Sequence, residues 1–372
     1  MKADNNLQAF FALVRAGLWE QEVRLPQFEK IELNEIYRLA EEQSVIGLVA
    51  AGIGHVQDIK VPQEVALTFW GYALQIEQRN RDMNSFINKL MMKLRIANIY
   101  SLLVKGQGIA QCYEKPLWRT CGDVDLLLGA DDYQKAKELL IPLSDDVETE
   151  YTFFKHIGMT IKGWVVELHG TLHSRLSKKI DRELDTIRDL VVNSGDTRVW
   201  SNDGTDVYLP APDSDVIFVF THFLHHFFFE GVGMRQICDW CRLLWTFRDK
   251  IDVALLEKRL RKMELMTEWE AFAAYAVKWL GMPVEAMPLY SDDIKWKRKA
   301  SRINNYILRV GNFGHNQASV MNNKQPYLVR KFISFWVHIG FTLRHFLIFP
   351  MDSITFFVQV FRSGLHAAVR GE

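Results

Sequence analysis

Apolar positions recur every three to four residues over the first quarter of the chain and again over its C-terminal half, with a stretch of different texture between them. Residues 5–20 predict an amphipathic helix with Phe10, Leu13, Val14 and Leu18 on one face. Residues 28–51 repeat the helical spacing, and 62–96 continue it as one long element, with Pro62 suited to a helix start. From residue 99 the pattern changes. Residues 100–104 form a short apolar run that ends at Lys105-Gly106-Gln107-Gly108, the way a buried strand passes into a turn and a helix. Residues 108–113 then read as a helix, 116–122 as a loop, 124–128 as a strand and 131–140 as a helix capped near Asp131. Three runs rich in β-branched and aromatic residues follow at 147–154, 156–162 and 164–169, with turns such as Lys162-Gly163 that suit antiparallel neighbours. Residues 197–200 and 206–209 flank Ser201-Asn202-Asp203-Gly204 as a hairpin. The helical period returns after Pro210-Ala211-Pro212, with helices expected at 213–229, 234–247, 253–280, 292–310 and 328–349.

The pattern predicts an α+β protein: a small mixed sheet over residues 98–210, between a helical region at 1–97 and a helical domain at 211–372. Hydrophobic residues at 48% and charged residues at 24% are ordinary for a folded globular chain and exclude a disordered or fibrous class. Forty-five basic residues balance forty-five acidic ones, so no global field draws in a polynucleotide. Four cysteines in 372 residues exclude a disulfide scaffold, and with no secretory apolar segment at the N-terminus the expected setting is the cytoplasm. The strongest membrane candidate, 332–361, is interrupted by Arg344, His345, Pro350 and Asp352, which argues against a span; the expectation is a buried terminal helix pair, with peripheral membrane contact the alternative.

The chemistry concentrates in Cys121-Gly122-Asp123-Val124-Asp125-Leu126. Residues two apart in a strand project from the same face, so Asp123 and Asp125 share one small volume while Val124 and Leu126 face the core. Like charges that close invite a divalent cation, and hard oxygen donors favour Mg²⁺. Glu167 interrupts the apolar strand Val165-Val166-Glu167-Leu168-His169. If that strand pairs beside the first, Glu167 joins as a third ligand or as a base, and three acids suffice for a clamp of two ions. His169 falls on the same strand face as Glu167 and could reach a phosphate or an acceptor. The turn at Gly106-Gln107-Gly108 lets backbone N–H groups approach a phosphate, with Lys105 and Arg119 near to offset charge.

Taken together, Val104-Lys105-Gly106, then Tyr113, Pro116 and Arg119, then Gly122-Asp123-Val124-Asp125-Leu126-Leu127, then Glu167-Leu168-His169 resemble the bacterial uncharacterised nucleotidyltransferase family, a branch of the polymerase-β-like superfamily. The resemblance implies a nucleotidyltransferase-like core. It implies Asp123, Asp125 and Glu167 as catalytic metal ligands for Mg²⁺, two ions or Mn²⁺ in their place, and Lys105, Gly106, Gln107, Gly108 and Arg119 as the nucleoside triphosphate grip. One departure is that the superfamily's Gly-Ser turn is Gly106-Gln107 here, with Asp123 following Gly106 at a long interval of 17 residues. The reaction implied moves a nucleoside monophosphate to an acceptor hydroxyl on a small molecule, sugar or protein. A nucleotide-binding sensor without turnover and a metal-dependent phosphohydrolase are the rival readings.

Other motifs carry blander expectations. Cys238-Asp239-Trp240-Cys241 lies in a helical pattern without a preceding strand, so its redox spacing reads as core. His222, His225 and His226 read as core or surface histidines because no acid stands among them on their face. Arg235 and Asp239 stand at i, i+4 and read as a helical ion pair, with Arg235 also a candidate for substrate contact from the helical half.

Overall fold

The computed structural model describes residues 5–25, 31–57, 63–151, 155–312 and 345–351, with 353 and 355. Pro62 lies outside them, as do most of the helix expected at 328–349 and of the apolar stretch at 332–361. The N-terminal region contains α1 (Asn5–Trp19), α2 (Leu33–Glu42), α3 (Ile46–Gly54) and α4 (Gln63–Ile96). The pattern at 28–51 thus resolves into two helices, because Ser44 with φ 55° turns the chain between them. Helices α1 and α3 touch backbone to backbone. A Cβ on Gly17 would lie 2.0 Å from the Leu48 carbonyl oxygen, and one on Gly52 2.0 Å from that of Leu13.

The α+β centre follows as β1 (Ser101–Val104), α5 (Gly106–Ala110), a single 3₁₀ turn at Pro116–Trp118, β2 (Asp123–Leu128), α6 (Ala130–Leu140), β3 (Asp146–Val147), β4 (His156–Ile161) and β5 (Trp164–His169). The strands form one mixed sheet in the order β1-β2-β5-β4-β3, in which β2 and β5 are parallel and the other neighbours antiparallel. The run expected as a strand at 147–154 keeps only a two-residue strand and a bridge from Tyr151 to His156, with 152–154 outside the described residues. Glu150 turns instead to α6, accepting from the Tyr133 hydroxyl at 2.9 Å and from Lys137 Nζ at 2.6 Å.

Helix α7 (Lys178–Asn193) lies outside the elements the apolar pattern predicts, although Ile180, Leu184, Ile187 and Val191 bury one face at helical spacing and the Ser177 hydroxyl caps it by accepting from Ile180 N. Strands β6 (Thr197–Asn202) and β7 (Thr205–Pro210) form the expected hairpin. Its tight turn has Asp203 at φ 47° and Gly204 at φ 80°, the type I′ geometry that matches strand twist. Helices α8 (Pro212–Phe229), α9 (Met234–Thr246), α10 (Val253–Met263), α11 (Met266–Leu280) and α12 (Ile294–Val310) follow. The helix expected at 253–280 is two, since Glu264 adopts a left-handed conformation at φ 60° and ends α10.

Sheet alternation sorts the core. Val124, Leu126, Leu128, Val166 and Leu168 pack with Met83, Ile87 and Leu90 of α4 and Tyr133 and Ala136 of α6. Leu127, Leu102 and Val104 join a larger core with the aromatic side chains of α8, α9 and α11. Period-two alternation therefore turns Asp123 and Asp125 toward the C-terminal helices. Helix α1 docks on α11, where Trp19 Nε1 donates to the Leu280 carbonyl at 2.6 Å and the Phe11 ring stands 5.2 Å from that of Trp279. Among the described residues no helix is long and apolar enough to cross a membrane.

Candidate active site

Strand register assembles the acids. Asp125 lies beside Val104 of β1 on one side and Glu167 of β5 on the other, and Asp123 projects from the same face two residues earlier. Carboxylate oxygens of Asp123, Asp125 and Glu167 fall within 4.8 Å of one another. Lys105 enters the cluster from the end of β1, its Nζ 2.6 Å from Asp125 Oδ1. Its backbone has φ 57° and ψ −148°, a strained conformation for a side-chain-bearing residue. Burial disfavours the Lys105 ammonium, but Asp125, Glu167 and Asp123 outweigh that and hold its pKa above the ordinary value. Asp123 is pushed up, first by the charge of Asp125 and then by burial. One lysine thus faces three carboxylates.

Two histidines adjoin the acids. His169 Nε2 donates to Asp125 Oδ1 at 2.8 Å and lies 3.4 Å from Glu167 Oε2, while His156 Nε2 lies 3.1 Å from the same Glu167 oxygen. Burial raises the Glu167 pKa, yet hydrogen bonds from His156 and His169 and the charge of Lys105 together hold it far below the usual carboxylate range. Glu167 is therefore a poor base in this setting.

Asp123 and Asp125 form one wall of a small open cleft, shared with Lys105, Gly106, Arg119 and, from α8 and α9, His222 and Arg235. Arg235 Nη1 donates to the Thr120 carbonyl at 2.7 Å. Its Nε is buried and has no partner among the described residues. The i, i+4 ion pair expected of Arg235 is replaced by a longer-range one: Asp239 accepts from Arg119 Nε at 3.1 Å and Nη2 at 2.5 Å, and from the Tyr113 hydroxyl at 2.7 Å. Arg119, expected to hold phosphate, lines the cleft with its guanidinium already engaged.

The glycine turn divides in the same way. Lys105 and Gly106 line the cleft, Gly106 at φ 43° with Cys121 Sγ 3.2 Å from where a Cβ would lie. Gln107 turns away, its Nε2 donating to buried Asn80 Oδ1 at 2.7 Å, and Asn80 in turn donates to the carbonyls of Leu117 and Arg119. Gly108 gives room to Leu209 of the hairpin, whose Cδ2 would be 2.8 Å from an added Cβ. These two residues hold the turn against its neighbours.

The helical histidines do have an acid on their face. Glu230 accepts from His226 Nδ1 at 2.8 Å, and His226 Nε2 lies 3.1 Å from His222 Nε2. Cys238 and Cys241 are buried in α9 with their thiol pKa values pushed up by burial, which suits core positions and opposes redox reactivity.

The sequence pattern points to neither His156 nor the Arg119–Asp239 pairing, and it reads His222 as a core or surface histidine. His156 was accessible in principle: the tight turn at Lys162-Gly163 pairs Ile161 with Trp164, and counting back along both strands sets His156 opposite His169. Comparison with curated proteins and with solved structures found no match. The model of a family described as "Uncharacterised nucleotidyltransferase" matches residues 29–281, more than half of the 372-residue chain, and the protein belongs to that family.

Proposed function

We propose that the cleft binds a nucleoside triphosphate and transfers its nucleoside monophosphate to an acceptor hydroxyl. The observation that carries this reading is the opposition, across one cleft, of Asp123 and Asp125 to Arg235, whose buried Nε has no partner among the described residues. Acids alone would suit a cation and an arginine alone an anion, whereas a metal–triphosphate complex uses both. The donor set fits a hard divalent cation, being three clustered carboxylates offset by one lysine. Bound by Asp123, Asp125 and Glu167, one or two Mg²⁺ ions, or Mn²⁺, would offset phosphate charge and polarise the α-phosphate.

The protein's own residues supply the rest. Arg235 Nε and the Lys105 ammonium bind phosphate oxygens, and Arg119 fixes the loop that carries Thr120 by holding Asp239 of α9. The acceptor hydroxyl gives up its proton to solvent as the new O–P bond forms at the α-phosphorus and the bond to the β-phosphate oxygen breaks, releasing pyrophosphate. A formal net charge of zero favours a small-molecule, sugar or protein hydroxyl over a polynucleotide.

The test supplies each of the four nucleoside triphosphates, labelled at the α-phosphate, with Mg²⁺ and a panel of hydroxyl acceptors, and follows pyrophosphate release and label transfer. Wild-type protein should release pyrophosphate in step with transfer, and Asp125→Asn should lose both while remaining folded. Nucleotide hydrolysis without any acceptor would replace this reading with a phosphohydrolase. Binding without turnover on the whole panel would replace it with a nucleotide sensor.

A further inference from the structure

We infer that His156, Glu167 and His169 form a second cation site, distinct in chemistry from the carboxylate cluster, that takes a borderline transition-metal ion of the Zn²⁺ type. The site shares Glu167 with the proposed nucleotide cleft, but its loading does not depend on nucleotide chemistry.

Strand pairing sets the three side chains together. His156 of β4 and His169 of β5 are directly opposite each other, and Glu167 lies two residues before His169 on the same face. Both imidazoles present Nε2 to a single oxygen, Glu167 Oε2, at 3.1 and 3.4 Å, and the donor atoms of all three residues fall within 4.8 Å of one another. In a tetrahedral shell with nitrogen and oxygen ligands at ~2.0 to 2.2 Å, neighbouring ligand atoms stand roughly 3.3 to 3.6 Å apart. The two contacts to Glu167 already approach that spacing, so ligation asks for small movements of side chains on rigid strands. Side-chain exposures of 22% for His156, 16% for His169 and 28% for Glu167 leave an entry path and room for a fourth ligand.

Ligand chemistry separates this site from its neighbour. Two imidazoles and a carboxylate are the donor set of borderline metals, whereas Asp123, Asp125 and Glu167 offer oxygen alone and favour Mg²⁺. Loading the histidine site would draw His169 Nε2 from Asp125 Oδ1, so the second ion would change the partners of a carboxylate assigned to the first. Glu167, lying in both donor sets, becomes the bridge.

The experiment uses the full chain stripped of metal, titrated calorimetrically with ZnCl₂ in the presence of excess Mg²⁺, with the visible d–d absorption of a Co²⁺-loaded sample as an independent report on nitrogen ligation. Expected is one Zn²⁺ per chain, weakened at least ~tenfold in His156→Gln and in His169→Gln, and retained in Asp123→Asn and His222→Gln. Circular dichroism checks each fold, and His156→Gln, at the N-terminal end of β4, decides the matter if His169→Gln does not fold. No Zn²⁺ binding by folded wild type would overturn the inference, as would binding indifferent to His156→Gln or lost in Asp123→Asn or His222→Gln. Mg²⁺-dependent nucleotide binding by His156→Gln reports separately on the nucleotide cleft, so failure of either idea leaves the other measurable.

Discussion

Replacing Arg119 by methionine separates two roles for a residue that sequence assigns to phosphate and structure pairs with Asp239. Asp239 is 3% exposed and accepts two hydrogen bonds from the guanidinium and one from Tyr113. Methionine fills much of the same volume but removes the only cation bonded to that carboxylate among the described residues, leaving a buried charge with one phenol. Breaking a buried pair from one side costs about 3 to 5 kcal/mol, far above the value of an exposed ion pair. Removing both charges, in Arg119→Met with Asp239→Leu, takes away the uncompensated carboxylate and should recover about 2 kcal/mol or more as coupling in a double-mutant cycle. Urea unfolding followed by tryptophan fluorescence and by circular dichroism gives all four corners of the cycle. If Arg119→Met unfolds within about 1 kcal/mol of wild type while nucleotide affinity falls, the structural role is refuted and Arg119 is a direct phosphate ligand.

Two other perturbations probe the site and the scaffold. Burial lowers the His169 pKa, but Asp125 and Glu167 outweigh it and hold it above its ordinary 6.5, so its contribution to stability is complete below that value and is lost as pH rises through the folded pKa. His169→Gln should accordingly destabilise most below pH ~6.5 and progressively less above it, read as urea midpoints of both proteins from pH ~5.5 to ~9, and a difference that widens with pH would contradict the assignment. Gly52→Ala and Gly17→Ala place a Cβ 2.0 Å from a facing backbone oxygen and must push α1 and α3 apart, at a cost of roughly 1 to 3 kcal/mol or more each. Thermal melts indistinguishable from wild type would show that these helices do not meet as described.

What the sequence revealed and what it hid follow from the range of the interactions involved. Alternation at Asp123, Val124, Asp125 and Leu126 fixes which side chains share a face, because strand periodicity is local. Turns such as Asp203-Gly204 and Lys162-Gly163 set hairpin register by their own backbone preferences, and the second of these also placed His156, had the count been carried back. The breaks at Ser44 and Glu264 were hidden, since neither residue type announces a left-handed backbone and the apolar spacing runs on across both. Asp239 illustrates the deeper limit. Helical spacing suggests its neighbour Arg235, yet the fold gives it Arg119, 120 positions away, and gives Arg235 to a loop carbonyl. Such choices are made by tertiary packing and leave no local pattern. Gln107 and Gly108 likewise read as a phosphate cradle from spacing, whereas their neighbours Asn80 and Leu209 come from distant elements.

The central claim is that clustered acids and facing basic residues make one nucleotide site. Calorimetric titration of ATP, GTP, CTP and UTP into the protein, with and without Mg²⁺, and into the Asp123→Asn, Asp125→Asn double variant, tests it most directly. Wild type should bind at least one nucleotide in a Mg²⁺-dependent way, and the folded double variant should not. Binding of none of the four by folded wild type, or binding unchanged in the variant, would contradict it.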